Sequence, residues 1–220
     1  CPEALDYEGV SWRPIRDDNW PDDVDLYLAN RGDKLIPMMP HARRTVFWIH
    51  NPAGYLLKWR YLSKLWRLKP AIIFIGTVHA GTYPAWAPDG GRYVIPYGIS
   101  KDFMTAKVAA EPPAPRAVFS SNPLRSLDWL LDRWSQDIAP QVPGAELHLF
   151  TGAATYGTIG DSKAGEMAHV LSRAGKLGDQ GVRVRGPVTK TQLIEEFLSA
   201  RCMLYRGDIN ETFCLAVGEA

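Results

Sequence analysis

The sequence predicts an α/β fold with parallel sheets. Three observations carry this. Short runs rich in apolar residues recur along the chain, longer stretches of helical periodicity lie between many of them, and several of the short runs are continuously apolar, as strands buried on both faces are. The strand candidates are 25–29, 45–49, 72–75, 93–95, 117–120, 146–150, 182–185 and 202–205. The helix candidates are 55–68, 124–138, 163–174, 190–200 and 213–220. Alternation of strand and helix argues for parallel sheets.

The helix signals are local. Thr189 followed by Gln192, just before Leu193, is the spacing of a capping box, in which a hydroxyl and an amide satisfy orphan backbone N–H groups. Asn122-Pro123 marks a turn and a helix start, since proline fits the first helical turn. Over 124–138, Leu127, Leu130, Leu131, Trp134 and Ile138 recur at three- and four-residue steps and make one apolar face.

The chain has 220 residues, enough for one large domain or two small ones with a sizeable core. Hydrophobic residues are 46% and charged residues 22%, an ordinary globular composition. The formal net charge is +1 and no nucleic-acid module pattern is present, so nucleic acid is not an expected partner. The three cysteines, Cys1, Cys202 and Cys214, are odd in number and far apart. They suit neither a disulfide framework nor a zinc site, and a reducing, cytoplasmic compartment is expected. Cys202, in an apolar run, reads as a small buried hydrophobe. No signal peptide or membrane-spanning run appears. The chain opens on Cys1 and stops at Ala220 inside a helical pattern, so both ends read as cut and both domains as incomplete. Glu111-Pro112-Pro113-Ala114-Pro115 is too proline-rich for regular structure. It places a first domain over 1–103, a linker over 104–115 and a second domain over 116–220.

The C-terminal segment carries the chemistry. Glu211 and Glu219 stand eight positions apart around a helix start. In a continuous helix both would lie on roughly one face. If Glu211 sits in the loop before the helix, both carboxylates and several backbone N–H groups can meet one ligand. Carboxylates suit sugar hydroxyls through charge-assisted hydrogen bonds. The alternative is two solvated glutamates.

With Phe213, Leu215 and Ala220 in register, this segment resembles the E-x7-E element of retaining glycosyltransferases of family 4, which have the GT-B fold. The resemblance implies two Rossmann-like domains whose parallel sheets face a cleft. It implies that Glu211 holds the donor sugar and Glu219 the ribose of a nucleotide. Backbone groups around Thr212, Phe213, Cys214 and Leu215 would approach the diphosphate or the sugar. Residues 185–205 resemble the strand, turn, helix and strand that precede that element, which makes Gly186 and Val188 candidate base contacts. Residues 120–131 resemble the loop and helix that usually carry an Arg and a Lys-Gly pair. Arg125 matches the Lys position and would stabilise charge on the departing diphosphate. Ser120 and Ser121 stand where another cation is usual.

In the first half, residues 46–55 resemble a strand end at which a histidine faces the donor sugar, here His50. Strand C-terminal ends in open α/β sheets line the ligand crevice, so the position also makes physical sense. A structural histidine is the alternative reading of His50, and the favoured one for His79. Residues 95–103 resemble the family's I-P-N-G-I-D stretch, with Tyr97 replacing Asn. Gly152, after a strand, reads as relieving crowding near the crevice or as a turn glycine.

The resemblance implies transfer of a sugar from a nucleotide-diphosphate donor to a glycan or lipid-linked hydroxyl acceptor, with retention. The nucleotide sugar is a co-substrate, and neither a cofactor nor a metal is implied. A binding module without turnover and a nucleotide-sugar epimerase remain as alternatives. Residues 56–69 mix Trp59, Tyr61 and Trp66 with Lys58, Arg60, Lys64, Arg67 and Lys69. That composition suits peripheral contact with the inner face of an anionic membrane. The favoured reading is aromatic rings packed inward under solvated cations.

Overall fold

The computed structural model describes residues 3–14 and 20–220. Cys1 lies outside the described residues. The chain divides into two compact units, one ending at Pro96 and the other beginning at Tyr97.

The first unit opens with a hairpin, β1 (Leu5–Tyr7) and β2 (Val10–Trp12), with Leu5 opposite Trp12 and Tyr7 opposite Val10. Its turn, Glu8-Gly9, has φ of 51° and 77°, the pair of positive values that a type I′ turn needs. A four-stranded parallel sheet follows, β3 (Leu26–Asn30), β4 (Arg44–Trp48), β5 (Ala71–Phe74) and β6 (Arg92–Val94), ordered β3-β4-β5-β6. The helix expected over 55–68 comes in two pieces. A 3-10 turn, Ala53–Leu57, is cut off by extended Lys58, and α1 (Trp59–Leu68) then turns Tyr61 and Leu65 into the core. Lys69 ends it in the left-handed region, and Pro70 forbids continuation. A short helix, α2 (Thr77–Gly81), leaves β5. Phe47, Ile49, Leu56, Leu65, Ile72 and Phe74 are wholly buried between sheet and helices.

The second unit begins with α3 (Lys101–Thr105), whose Phe103 packs on Val118, Phe150 and Leu193. Residues 106–115 form no helix or strand. Then come β7 (Arg116–Phe119), α4 (Leu127–Arg133) running into a π-helical turn (Trp134–Ile138), β8 (Glu146–Leu149), α5 (Gly157–Ser162) and α6 (Ala164–Gly175). The unit closes with β9 (Val182–Val184), α7 (Lys190–Leu198), β10 (Cys202–Met203) and α8 (Leu215–Glu219). All four strands are parallel, in the order β10-β7-β8-β9. Leu127, Leu130, Leu131 and Trp134 form the inward face that their spacing predicts, and the Trp134 indole N–H donates to the Gln180 carbonyl at 2.8 Å. The capping box on α7 is complete in both directions, through Thr189 and Gln192.

Two expectations are corrected here. Helix α4 starts at Leu127, not at residue 124, because Ser126 takes φ 62°, which no right-handed helix accepts. Asn122 instead closes a turn, its side-chain oxygen accepting from Leu124 N–H and its carbonyl from Arg125 N–H. Cys202 is exposed and not a buried hydrophobe, because β10 is an edge strand with a ladder on one side only.

Candidate functional site

Parallel strands deliver their following loops to one edge of a sheet. In the second unit that edge carries 120–126 after β7, 150–156 after β8, 185–189 after β9 and 204–214 after β10. Strand order reverses at β7, which has β8 on one side and β10 on the other. Two chain segments leave in opposite directions at such a switch point and open a crevice between them.

Arg125 and Glu211 meet there, 86 positions apart in sequence. The Arg125 guanidinium donates through Nη1 to Glu211 Oε1, and the Tyr205 hydroxyl donates to Oε2 at 2.7 Å. The Glu211 side chain is only 8% exposed while that of Arg125 is 44% exposed. The carboxylate is thus held from behind, and its cation stays half in solvent. Burial and the hydrogen bond to Glu211 push the Tyr205 hydroxyl above the usual tyrosine range, so it remains a proton donor. Burial draws the Arg125 pKa down, but Glu211 and Tyr205 outweigh it and the guanidinium stays charged. Ser126 ties the loops together, donating to the Gly207 carbonyl at 3.1 Å, and the Thr151 hydroxyl donates to the Ser121 carbonyl at 2.5 Å. Burial, with Glu211 close by, raises the Cys214 thiol as well.

Glu211 lies in the loop before α8, the second of the two arrangements the sequence leaves open. Glu219 ends α8 and is 10% exposed, its carboxylate clasped by Lys190 Nζ at 2.5 and 2.7 Å. It lines a cavity of about 240 Å³ together with Phe103, Phe197 and Met203. The two carboxylates therefore take different cations. Phe213 stacks edge-on against Tyr97 at 5.4 Å, which gives that tyrosine a packing role. Thr212 is half-buried, Cys214 caps α8, and Leu215 is exposed. Gly186 takes φ 75° and Val188 is exposed in the loop after β9. Pro187 lies so close to Gly152 that a Cβ there would meet its ring at 3.2 Å, so Gly152 does relieve crowding.

In the first unit His50 follows β4 at the same kind of sheet edge. Its Nε2 meets Asn30 Oδ1 at 2.6 Å, and its ring lies on Trp48 at 5.1 Å. Burial first, then Arg31 and His79, lower its pKa to about 4, so it is neutral near pH 7. His79 is buried and structural. It accepts the Ile75 N–H on Nδ1 and meets the Asn51 carbonyl through Nε2 at 2.8 Å.

Sequence reasoning missed three residues. Tyr205 looks like one more apolar strand residue, and only its place at a strand C-terminus could have marked it. Lys190 looks like a solvated cation on a helix start. His148 is wholly buried on β8 beside Glu146, with Arg116 and Glu196 near it, a polar cluster inside the sheet layer and away from the edge loops.

With this geometry in hand, known proteins can be compared. Sucrose-phosphate synthase from Thermosynechococcus elongatus matches with a TM-score of 0.59 and 15% identity over 89% of this chain and 53% of its own. A TarM variant from S. aureus, solved with fondaparinux, α-GlcNAc-glycerol and UDP, matches at 0.59 and 11% identity over 89% of this chain and 39% of its own. An apo OtsA structure matches at 0.62 and 15% identity over 91% of this chain and 55% of its own. The fold is GT-B. The chain spans about half or less of the length of these GT-B structures. No family model matches the sequence, and no curated protein matches it by sequence. No described helix is long and apolar enough to cross a membrane.

Proposed function

We propose that this chain is the donor-binding part of a metal-independent, retaining hexosyltransferase of the family 4 type. It would move a sugar from a nucleotide-diphosphate donor to a glycan or lipid-linked hydroxyl, in the cytoplasm, for polysaccharide or lipopolysaccharide synthesis. The observation that carries the reading is the meeting of Arg125 and Glu211 at the switch point of the second sheet. UDP in the TarM structure and the synthase name of the first neighbour point the same way.

In this reading the guanidinium N–H groups of Arg125 that Glu211 does not take receive the diphosphate. They stabilise its charge as the bond from the anomeric carbon to phosphate breaks. Glu211, fixed by Arg125 and Tyr205, holds the donor sugar by hydrogen bonds to its hydroxyls. Glu219 takes the ribose, with Gly186 and Val188 beside the base and the backbone of 212–215 near the diphosphate. His50, neutral, contacts the sugar. The acceptor oxygen bonds to the anomeric carbon on the face the phosphate leaves, and the acceptor's proton passes to that phosphate.

Calorimetric titration with UDP, GDP and ADP tests the reading, with Glu219→Ala as the control. One nucleotide binds, and the substitution costs about tenfold or more in affinity through lost charge-assisted contacts. Failure of the folded protein to bind any of the three would refute the donor site. Binding without sugar transfer or donor hydrolysis would favour the module reading, which the lone cation of the 120–126 loop motivates.

A further inference from the structure

We propose that the outer face of α1 is a docking surface for an anionic lipid bilayer. This inference rests on the first unit alone and does not depend on the donor site.

The inward stripe of α1 is settled by burial. Tyr61 and Leu65 are buried, and Leu68 packs on the same core. The other two aromatic residues do not follow them. Trp59 is 74% exposed and Trp66 59% exposed. Seven residues separate them, so they project within about 20° of each other around the helix. Leu62, three residues from Trp59 and four from Trp66, lies beside the same stripe. The helix therefore has two apolar faces, and only one of them is used by the fold. Indole rings with an apolar body and one N–H donor suit the headgroup level of a bilayer, where one end is dry and the other wet.

Charge selects the kind of surface. Lys58, Arg60, Lys64, Arg67 and Lys69 lie on or beside the helix, and no Asp or Glu occurs between Asp33 and Asp89. Lys64 is tied inward to Asp33 at 2.7 Å, and Arg60 sits over the Tyr61 ring. Among the described residues, Lys58, Arg67 and Lys69 form no ion pair. A net charge of only +1 over the whole chain hides this local excess. Cations flanking an apolar stripe are what an in-plane interfacial helix needs, and each Lys or Arg near an anionic leaflet adds attraction that salt screens. Single-stranded nucleic acid shares the charge preference and stacks on exposed indoles, but it has little use for the aliphatic Leu62 beside them.

The test is co-sedimentation of the protein with vesicles of phosphatidylcholine alone or mixed with phosphatidylglycerol. The expected result is binding to the mixed vesicles that falls as salt is raised, with little binding to the neutral ones. The double variant Trp59→Ser, Trp66→Ser, whose side chains point away from the core, loses about tenfold or more in partitioning with unchanged circular dichroism. Lys58→Gln with Arg67→Gln loses a comparable factor on mixed vesicles. Three results would overturn the proposal: no binding of folded protein to mixed vesicles at low salt, binding that the tryptophan variant retains, or binding to a single-stranded oligonucleotide in place of vesicles.

Discussion

In the first unit the strands lie in chain order, β3-β4-β5-β6, whereas in the second β7 is flanked by β8 and β10. Both sheets are parallel, and both present a histidine or an arginine at their C-terminal edge. Only the second contains a reversal of strand order among the described strands, and there two loops 86 positions apart bring opposite charges together at that edge. The first unit's edge is closed by its own bonds, His50 to Asn30 and His79 to Ile75 and Asn51. The same layer architecture thus gives one edge whose exposed cation, Arg31, stands near a neutral histidine, and one whose half-solvated cation is paired with a buried carboxylate. Topology, more than composition, decides which of the two brings a cation and a carboxylate together at the switch point.

The comparison can be broken first through the cores. Phe47→Ala in the first unit and Trp134→Ala in the second each remove a fully buried ring, and each should cost about 3–5 kcal/mol in denaturant unfolding. A cost below about 1 kcal/mol in either would contradict the packing described. Next come two glycines. A Cβ on Gly90 would stand 2.0 Å from the Lys69 carbonyl oxygen, and one on Gly181 would stand 2.2 Å from that of Ala145, at φ 84°. The obstacle is backbone in both cases, so Gly90→Ala and Gly181→Ala should each cost about 2–3 kcal/mol.

The site sharpens the contrast. Arg125→Met leaves the Glu211 carboxylate buried without its cation and should lower stability by about 1–2 kcal/mol, less than a fully buried pair because Arg125 is half solvated. The same change should weaken nucleoside diphosphate binding about tenfold or more. His50→Ala should leave that binding within about twofold, since a nucleoside diphosphate lacks the sugar that His50 would contact, while slowing sugar transfer. Equal losses of nucleotide affinity in both variants would erase the distinction between the two edges. The smallest effect is on pH. His50 is held at a pKa of about 4 when folded against 6.5 when exposed. The unfolded chain therefore takes its proton first as pH falls. Its contribution is complete above pH 6.5 and is lost progressively down to about 4. Melting temperatures across that range should fall less steeply in His50→Gln.

The eight strands of the two parallel sheets were legible from apolar runs, to within one or two residues at most ends. The capping box on α7 was legible because two side chains three positions apart settle it locally. The β1–β2 hairpin was missed although its alternation of Leu5, Tyr7, Val10 and Trp12 around Glu8-Gly9 was there to read. The late start of α4 was not legible, since φ at Ser126 is held by a bond to Gly207, 81 positions away. For the same reason, Glu211 and Arg125 could each be picked out by resemblance, but their pairing needed the strand order. Tyr205 and Lys190, which hold Glu211 and Glu219, carry no sequence signal of their own. Nor does the sequence reveal that Trp59 and Trp66 turn outward while Tyr61 turns in, since helical spacing fixes relative and not absolute direction.

Amide hydrogen exchange, with and without a saturating nucleoside diphosphate, tests the central claim most directly, because it reports where the ligand sits. The account predicts slowed exchange concentrated in 120–126 and 204–214, the loops that meet at the switch point, and lost in Arg125→Met. Protection confined to the loops after β3, β4 and β5, with 120–126 and 204–214 unchanged, would contradict it.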